Sequence, residues 1–182
     1  NFTENKNKTI FSVVRYGNVM GSRGSIIPFF MSQKSRKILP ITDIEMTRFM
    51  ITAEEGVNLV LKSLENMIGG EIYVKKIPSI KVIDIVNAIS EHPKIDIVGL
   101  RTGEKMHEEM ISLQDAETTY EYKDYYKILP KLNGWHKDKN RIKDGKQVNK
   151  GFSYSSDKNK SWINSEDLKK WLTENSDKII ED

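Results

Sequence analysis

Residues Thr9–Lys34 read TIFSVVRYGNVMGSRGSIIPFFMSQK, and the choice of fold class turns on them. Thr9–Val14 is an apolar, β-branched run of the kind that forms a strand buried on both faces. Arg15–Ser25 follows as a glycine-punctuated loop. Ile26 to about Lys34 then carries a helical pattern, with Pro28 in the first turn, where its missing N–H costs nothing. A strand, a glycine loop and a helix in that order predict an α/β fold.

The alternation continues downstream. Met46–Ile51 (MTRFMI) predicts a short strand, and Thr52–Glu55 is a capping box. Val57, Val60, Leu61 and Leu64 form the apolar stripe of the helix it opens, and Gly69–Gly70 closes that helix. Glu71–Val74 is the next strand, Ser79 caps a helix with Val82, Ile85, Val86 and Ile89 on one face, and Ile95–Val98 is a further strand. Parallel pairing with helical crossovers is the expected topology. After residue 115 the pattern changes. Ala116–Tyr126 is rich in Tyr and acidic residues, Lys131–Lys150 predicts an irregular loop, and Ser165 starts a last helix with Leu168, Trp171 and Leu172 as its stripe.

The 182 residues are 37% hydrophobic and 30% charged, with a mean hydropathy of −0.56, which suits one globular domain or one with an appendage. No run approaches the ~18 apolar residues of a membrane span, and no secretory signal is visible, so a cytoplasmic location is expected. The absence of cysteine excludes a disulfide scaffold, a thiol nucleophile and a zinc–cysteine site. A start at Asn1 predicts a truncated or processed chain. The net charge of +3 is too small to point to nucleic acid. Only six cations are arginine (Arg15, Arg23, Arg36, Arg48, Arg101 and Arg141), and arginine is the residue that grips phosphates and carboxylates bidentately.

Three loops could carry chemistry. Gly17, Gly21 and Gly24, spaced G-x-x-x-G-x-x-G, suit either a structural turn or close approach to a ligand, with Asn18 and Arg23 as side-chain donors. That spacing is not the dinucleotide fingerprint. Leu100–Glu108 (LRTGEKMHE) follows a strand, where an α/β sheet places its ligands. There Arg101 could meet a diphosphate and Glu104 ribose hydroxyls, or the segment is a salt-bridged turn. Thr42–Phe49 offers Arg48 at a strand edge. Arg15, Arg23, Arg48 and Arg101 all stand at strand ends, which predicts their convergence on one anionic ligand. His92, His107 and His136 lack metal-ligand spacing and are read as solvated. Glu108, Glu109, Asp43 and Glu45 offer carboxylates without a distinguishing pattern, and Tyr120, Tyr122, Tyr125 and Tyr126 are read as packing of an edge segment.

RYGNVMGSRGSIIPFF (Arg15–Phe30), PITDIEMTRF (Pro40–Phe49), GGEIYVKKIPSIK (Gly69–Lys81) and GLRTGEKMHEEMI (Gly99–Ile111) resemble the C-terminal half of the inverting UDP-N-acetylglucosamine 4,6-dehydratases. These are members of the extended short-chain dehydrogenase/reductase superfamily. The resemblance runs nearly the whole length, through ETTYEYKDYY to the tail FSYSSDKNKSWI, and is weakest over Lys131–Lys150. Related retaining dehydratases share RYGNV and R-x-GEK but differ around ITD and KIPS.

The resemblance implies the C-terminal half of a Rossmann-like fold: residues 1–115 as the end of the sheet with interleaved UDP-sugar-binding elements, and 116–182 as a substrate-domain extension and tail. It implies NADP as cofactor, with Val19, Met20, Gly21, Ser22 and Arg23 lining the nicotinamide side. Asn18 would contact substrate, Ile26 and Thr42 border the uridine, Arg48 and Arg101 hold the diphosphate, and Glu104 the ribose. Hydride would pass from sugar C4 to the cofactor, water would leave across C5–C6, and hydride would return to C6 as C5 inverts. The catalytic Tyr-x-x-x-Lys helix is expected upstream: Tyr73 is followed at four by Ile77, and Tyr122 by Tyr126. The fragment alone should therefore be inactive. The full-length enzyme would be a homo-oligomer without nucleic-acid or membrane partners or a metal, serving pseudaminic acid-type glycan synthesis. Two departures are notable: Thr102 where the family has Pro, and Ser153 in place of an acidic residue before the tail Tyr. A UDP-sugar epimerase, a retaining dehydratase or a non-catalytic nucleotide-binding module are the alternatives.

Overall fold

A computed structural model describes residues 9–36 and 38–179. Along the chain run β1 (Val13–Arg15), β2 (Asn18–Val19), α1 (Ile26–Ser32), β3 (Ile38–Ile41), β4 (Thr47–Ile51), α2 (Ala53–Asn66), β5 (Ile72–Lys75) and β6 (Ser79–Lys81). They are followed by α3 (Val82–Ile89), β7 (Lys94–Ile97), β8 (Glu109–Ile111), β9 (Thr119–Glu121), β10 (Tyr125–Ile128), α4 (Lys139–Ile142), β11 (Lys146–Gln147), β12 (Tyr154–Ser155) and α5 (Ser165–Glu174). The mixed α/β class and the crossover logic are as expected. β1 and β5 pair in parallel across α2, β2 pairs in parallel with β4, and β3 with β7. Antiparallel neighbours join them, since β4 pairs with β6 and β5 with β10.

The chain forms two compact units, and each is assembled from three separate stretches. The first takes the residues up to Tyr16, Glu54–Lys76 and Glu109–Tyr154. Its sheet, among the described residues, runs β1-β5-β10-β9-β11. Leu59 of α2 packs with Tyr73, Tyr120, Tyr122, Tyr125 and Leu129. Three charged side chains are buried here. Glu71 accepts from Ser12 Oγ (2.7 Å) and the Gly69 amide (2.8 Å), Arg141 Nη1 stands 3.2 Å from Glu71, and Lys127 Nζ donates to Arg141 O at 3.0 Å. The Lys127 ammonium lies between the faces of Tyr73 and Tyr122, 5.3 and 5.0 Å from their centroids.

Four sequence expectations change in this unit. Only Val13–Arg15 of the first apolar run is strand, and Val13 is exposed, because among the described residues β1 pairs on one side alone. Val57, Val60, Leu61 and Leu64 lie on the outer face of α2, while Gly56, Leu59 and Ser63 face inward. The tyrosines do pack, but in the sheet's interior rather than at its edge, because β10 adds antiparallel to β5. Residues 131–150 are ordered as a 3-10 turn (Leu132–Lys137), α4 and β11. Arg141 anchors them by donating to Gly69 O at 2.6 Å and stacking on Trp135.

The second unit takes Gly17–Ala53, Ile77–Glu108 and the chain from Ser155 on. Its core joins Ile27 and Phe30 of α1, Leu39 and Ile41 of β3, Met50 of β4, Ile85 and Val86 of α3 and Leu168 of α5. Every residue of β4 but Arg48 is buried, as a strand covered on both faces requires. Ser79 belongs to β6 and not to a helix cap; Lys81 is the N-cap of α3 and makes no side-chain cap bond. The tail docks on β6, with Ser79 N donating to Ser161 O (2.9 Å) and Ile163 N to Ser79 O (2.8 Å).

Candidate functional site

The second unit gathers a polar cluster from three loops. Gly17 sets the first against β4: a Cβ there would meet Phe49 Cβ and lie 2.6 Å from Phe49 O, so only glycine lets β2 come this close. Asn18, next in line, donates through Nδ2 to Phe49 O (3.3 Å) and Glu108 Oε1 (3.0 Å). Glu108 Oε2 accepts from Phe49 N at 2.8 Å. The β3–β7 ladder runs on beyond its strands, with Val98 N donating to Ile41 O and Gly99 N to Thr42 O. Thr42 is thereby held beside the 100–108 loop. That loop closes on itself around Thr102, with Glu104 N donating to Arg101 O at 3.0 Å.

Glu104 and Glu108 are the hubs. Glu104 Oε1 accepts from Thr42 Oγ1 (3.1 Å), Glu104 Oε2 from the Arg101 amide (3.3 Å), and Glu104 Oε1 stands 3.8 Å from Arg48 Nη2. Arg48 Nε is 3.9 Å from Glu108 Oε1, and its Nη1 donates to Thr47 O (2.8 Å) and Met106 O (3.2 Å). Asn18, Thr42, Arg48, Arg101 and Glu104 are thus joined by contacts, and Ile26 stands apart, half-buried against the core. Arg48 is largely enclosed and already faces two carboxylates, whereas the Arg101 side chain is exposed and open to an anion.

The Val19–Arg23 loop is a pair of tight turns. Met20 N donates to Ile51 O, Ser22 N and Oγ both donate to Val19 O, and Ser25 N donates to Ser22 O. Met20 is buried in the core, so it can offer a ligand only its backbone, while Arg23 is exposed. Ser25 Oγ, where this loop enters α1, is buried without a hydrogen-bond partner.

Of the four arginines expected to converge at one sheet edge, two are joined by contacts within the second unit. Arg15 belongs to the first unit, where Nη1 donates to Met110 O at 2.6 Å and stands 3.9 Å from Asp115. Arg48 and Arg101 meet instead through Glu104. His107 is not solvated either: the turn of the 104–108 loop brings its Nδ1 to 2.8 Å from Thr47 Oγ1. Thr47 Oγ1 also bonds Ser156 Oγ at 2.7 Å, and Ser156 Oγ accepts from the Glu108 amide at 2.9 Å. Nothing local marks Glu108 or Ser156 in the sequence, because their partners lie 90 and 109 residues away. One Tyr-x-x-x-Lys spacing does occur, at Tyr154–Lys158. It forms no helical pair: Tyr154 is buried in β12 with its ring against Tyr126, and Lys158 is exposed in a bend.

Comparison with known proteins agrees with the motif resemblance. A family model described as "Polysaccharide biosynthesis protein" matches residues 1–130. The UDP-N-acetylglucosamine 4,6-dehydratase (inverting) of Campylobacter jejuni is 47% identical over 92% of this chain and 52% of its own length. A UDP-glucose 4-epimerase of Rickettsia canadensis is 41% identical over 67% of this chain and 37% of its own. The X-ray structure of Pen from Bacillus thuringiensis superposes with a TM-score of 0.78 at 32% identity, over 93% of this chain and 51% of that one. The chain spans about half the length of the curated relatives it matches. By that match and by its motifs it belongs to the polysaccharide biosynthesis protein family, within the extended short-chain dehydrogenase/reductases.

Proposed function

We propose that this chain is the UDP-sugar-binding half of a C5-inverting UDP-N-acetylglucosamine 4,6-dehydratase that uses NADP and opens a pseudaminic acid-type glycan pathway. The observation that carries the reading is the Thr42–Glu104–Arg48–Glu108–Asn18 cluster, whose residues lie in the segments that resemble the dehydratases. Arg101 holds the diphosphate with Arg48 beside it, Glu104 takes the ribose, Thr42 and Ile26 border the uridine, and Asn18 meets the sugar. Binding energy from the nucleotide end fixes the sugar relative to the reacting centre, so anchoring residues remote from the chemistry raise its rate.

Val19, Met20, Gly21, Ser22 and Arg23 line the nicotinamide. The tight backbone of that loop and the partnerless Ser25 hydroxyl at its end fit a polar ring edge. When bound, the cofactor supplies hydride acceptance and return. The catalytic acid, base and Tyr-x-x-x-Lys pair belong to the other half of the enzyme, which works as a cytoplasmic homo-oligomer.

The test is UDP-N-acetylglucosamine binding by the full-length enzyme. Arg101→Ala is expected to weaken it by ~1.5–3 kcal/mol, the scale of a charge-assisted hydrogen bond. Unchanged affinity for UDP would remove Arg101 from the site. The likeness to the Rickettsia epimerase favours a second reading, a UDP-sugar 4-epimerase. NMR of the product decides between them: a 6-deoxy-4-keto sugar inverted at C5 marks the dehydratase, and a C4 epimer with its 6-hydroxyl intact marks the epimerase.

A further inference from the structure

The Asn18 carboxamide has two N–H bonds, and both are spent inside the protein. Nδ2 donates to Phe49 O at 3.3 Å and to Glu108 Oε1 at 3.0 Å. Both partners are acceptors only, a backbone carbonyl and a carboxylate. Turning the amide over would set Oδ1 against two oxygens, so the surroundings fix its orientation.

Glu108 is held just as firmly. Its Oε2 accepts from Phe49 N at 2.8 Å, and its own amide donates to Ser156 Oγ at 2.9 Å. Ser156 in turn bonds the buried Thr47, which reaches His107. A connected network of this kind holds one geometry, since moving any member leaves a polar group unpaired.

We infer that Glu108 is a positioning residue. With the Phe49 carbonyl it takes both N–H bonds of Asn18, so that Asn18 offers a ligand only its carbonyl oxygen. Asn18 therefore selects a hydrogen-bond donor on the ligand, a sugar hydroxyl or an amide N–H, and rejects a phosphate oxygen. Although the Gly17–Gly24 loop suggests a side-chain donor at Asn18, the geometry makes this side chain an acceptor. The inference rests on Asn18 meeting the sugar, as proposed above.

The decisive substitution is the isosteric Glu108→Gln. A glutamine can present its oxygen to Asn18 Nδ2 or to Phe49 N but not to both; the Phe49 amide is fixed in β4 and cannot turn away, so the oxygen faces it, the glutamine NH2 meets Asn18 Nδ2, and the Asn18 amide is released. In the full-length enzyme, UDP-N-acetylglucosamine affinity should fall about tenfold relative to UDP affinity, the UDP arm reading separately the carboxylate lost beside Arg48. In the Asn18→Ala background, Glu108→Gln should leave the ratio of UDP-sugar to UDP affinity unchanged, because the side chain it positions is gone. Equal losses for both ligands, or a ratio that falls further in the double variant, would overturn the inference and leave Glu108 a structural residue.

A ligand-free measurement separates this from the function itself. In protein labelled with 15N-asparagine, Glu108→Gln should move the Asn18 Nδ2 proton pair upfield and speed its exchange. An unchanged pair overturns the inference whatever the binding data say. A shifted pair in a protein that binds neither UDP nor the UDP-sugar upholds the Asn18–Glu108 pairing and overturns the sugar-nucleotide reading.

Discussion

Gly17 has no room for even a methyl group, since its Cβ would collide with the backbone of Phe49. Gly17→Ala must therefore push β2 off β4, and about 1–3 kcal/mol of stability should be lost, as for an overpacked core. Urea unfolding of the full-length protein would show it. Asn18 rides on the same strand, so ligand affinity should fall with it. Tyr73 is the opposite case. Its ring is fully buried but its hydroxyl has no hydrogen-bond partner, a desolvation cost with no return. Tyr73→Phe should be neutral or stabilising by up to about 1–2 kcal/mol, and a lower unfolding midpoint would reveal a missed partner.

Glu71 links structure to pH. Burial pushes its carboxyl up, but hydrogen bonds from Ser12 Oγ and from the amides of Glu71, Gly69 and Ile68 outweigh that and hold it below the ordinary carboxylate range. A carboxyl lowered on folding contributes stability that is full above its unfolded value, ~4.3. That contribution is lost as the pH falls through the lower folded value. Unfolding midpoints of the full-length protein taken from pH 7 down to pH 3 should drop in that window. Glu71→Gln should flatten the drop while lowering the midpoint at pH 7, because Arg141 loses its buried partner.

At the scale of elements, α2 shows where reading periodicity succeeds and where it stops. Helical spacing and the acidic first turn locate the helix, since both are properties of the local chain. They do not say which face turns inward, and the more apolar stripe is the outer one. Leu59→Ala should therefore cost about 2–5 kcal/mol. Leu61→Lys or Leu64→Lys should change the stability of this unit by less than about 0.5 kcal/mol. Chemical denaturation of the three variants, made in the full-length protein, tests the ordering. The same limit applies at the site. Asn18, Arg48, Arg101 and Glu104 could be picked from loop motifs, because strand ends and glycines mark ligand loops wherever they occur, and Thr42 only through the family resemblance. Glu108, Thr47, His107 and Ser156 could not, because what distinguishes them is contact across 59 to 109 residues of chain.

At the scale of the whole molecule, β1 has one strand neighbour among the described residues, and α2 shows Val57, Val60, Leu61 and Leu64 to solvent. An unpaired strand edge beside an apolar helix face invites association in place of a single folded state. The 182 residues expressed alone should accordingly melt without a sharp transition and should elute in concentration-dependent fashion, and a steep, concentration-independent melt would contradict this. The antiparallel additions β10 and β6 were not legible beforehand. Strand direction depends on which edge a later segment reaches, and alternation of elements carries no record of that.

The two units exchange the chain five times, at residues 16/17, 53/54, 76/77, 108/109 and 154/155. Recombination by a single crossover therefore cannot transplant the second unit alone from one relative to another. Every breakpoint cuts at least one core, those at 53/54, 76/77 and 108/109 cut both, and a chimera that moves the second unit by itself has to carry three segments together. On the proposed sugar-nucleotide reading, point substitution inside the loops is the simpler route to a new ligand preference, and engineers who want to retarget such a scaffold face the same constraint.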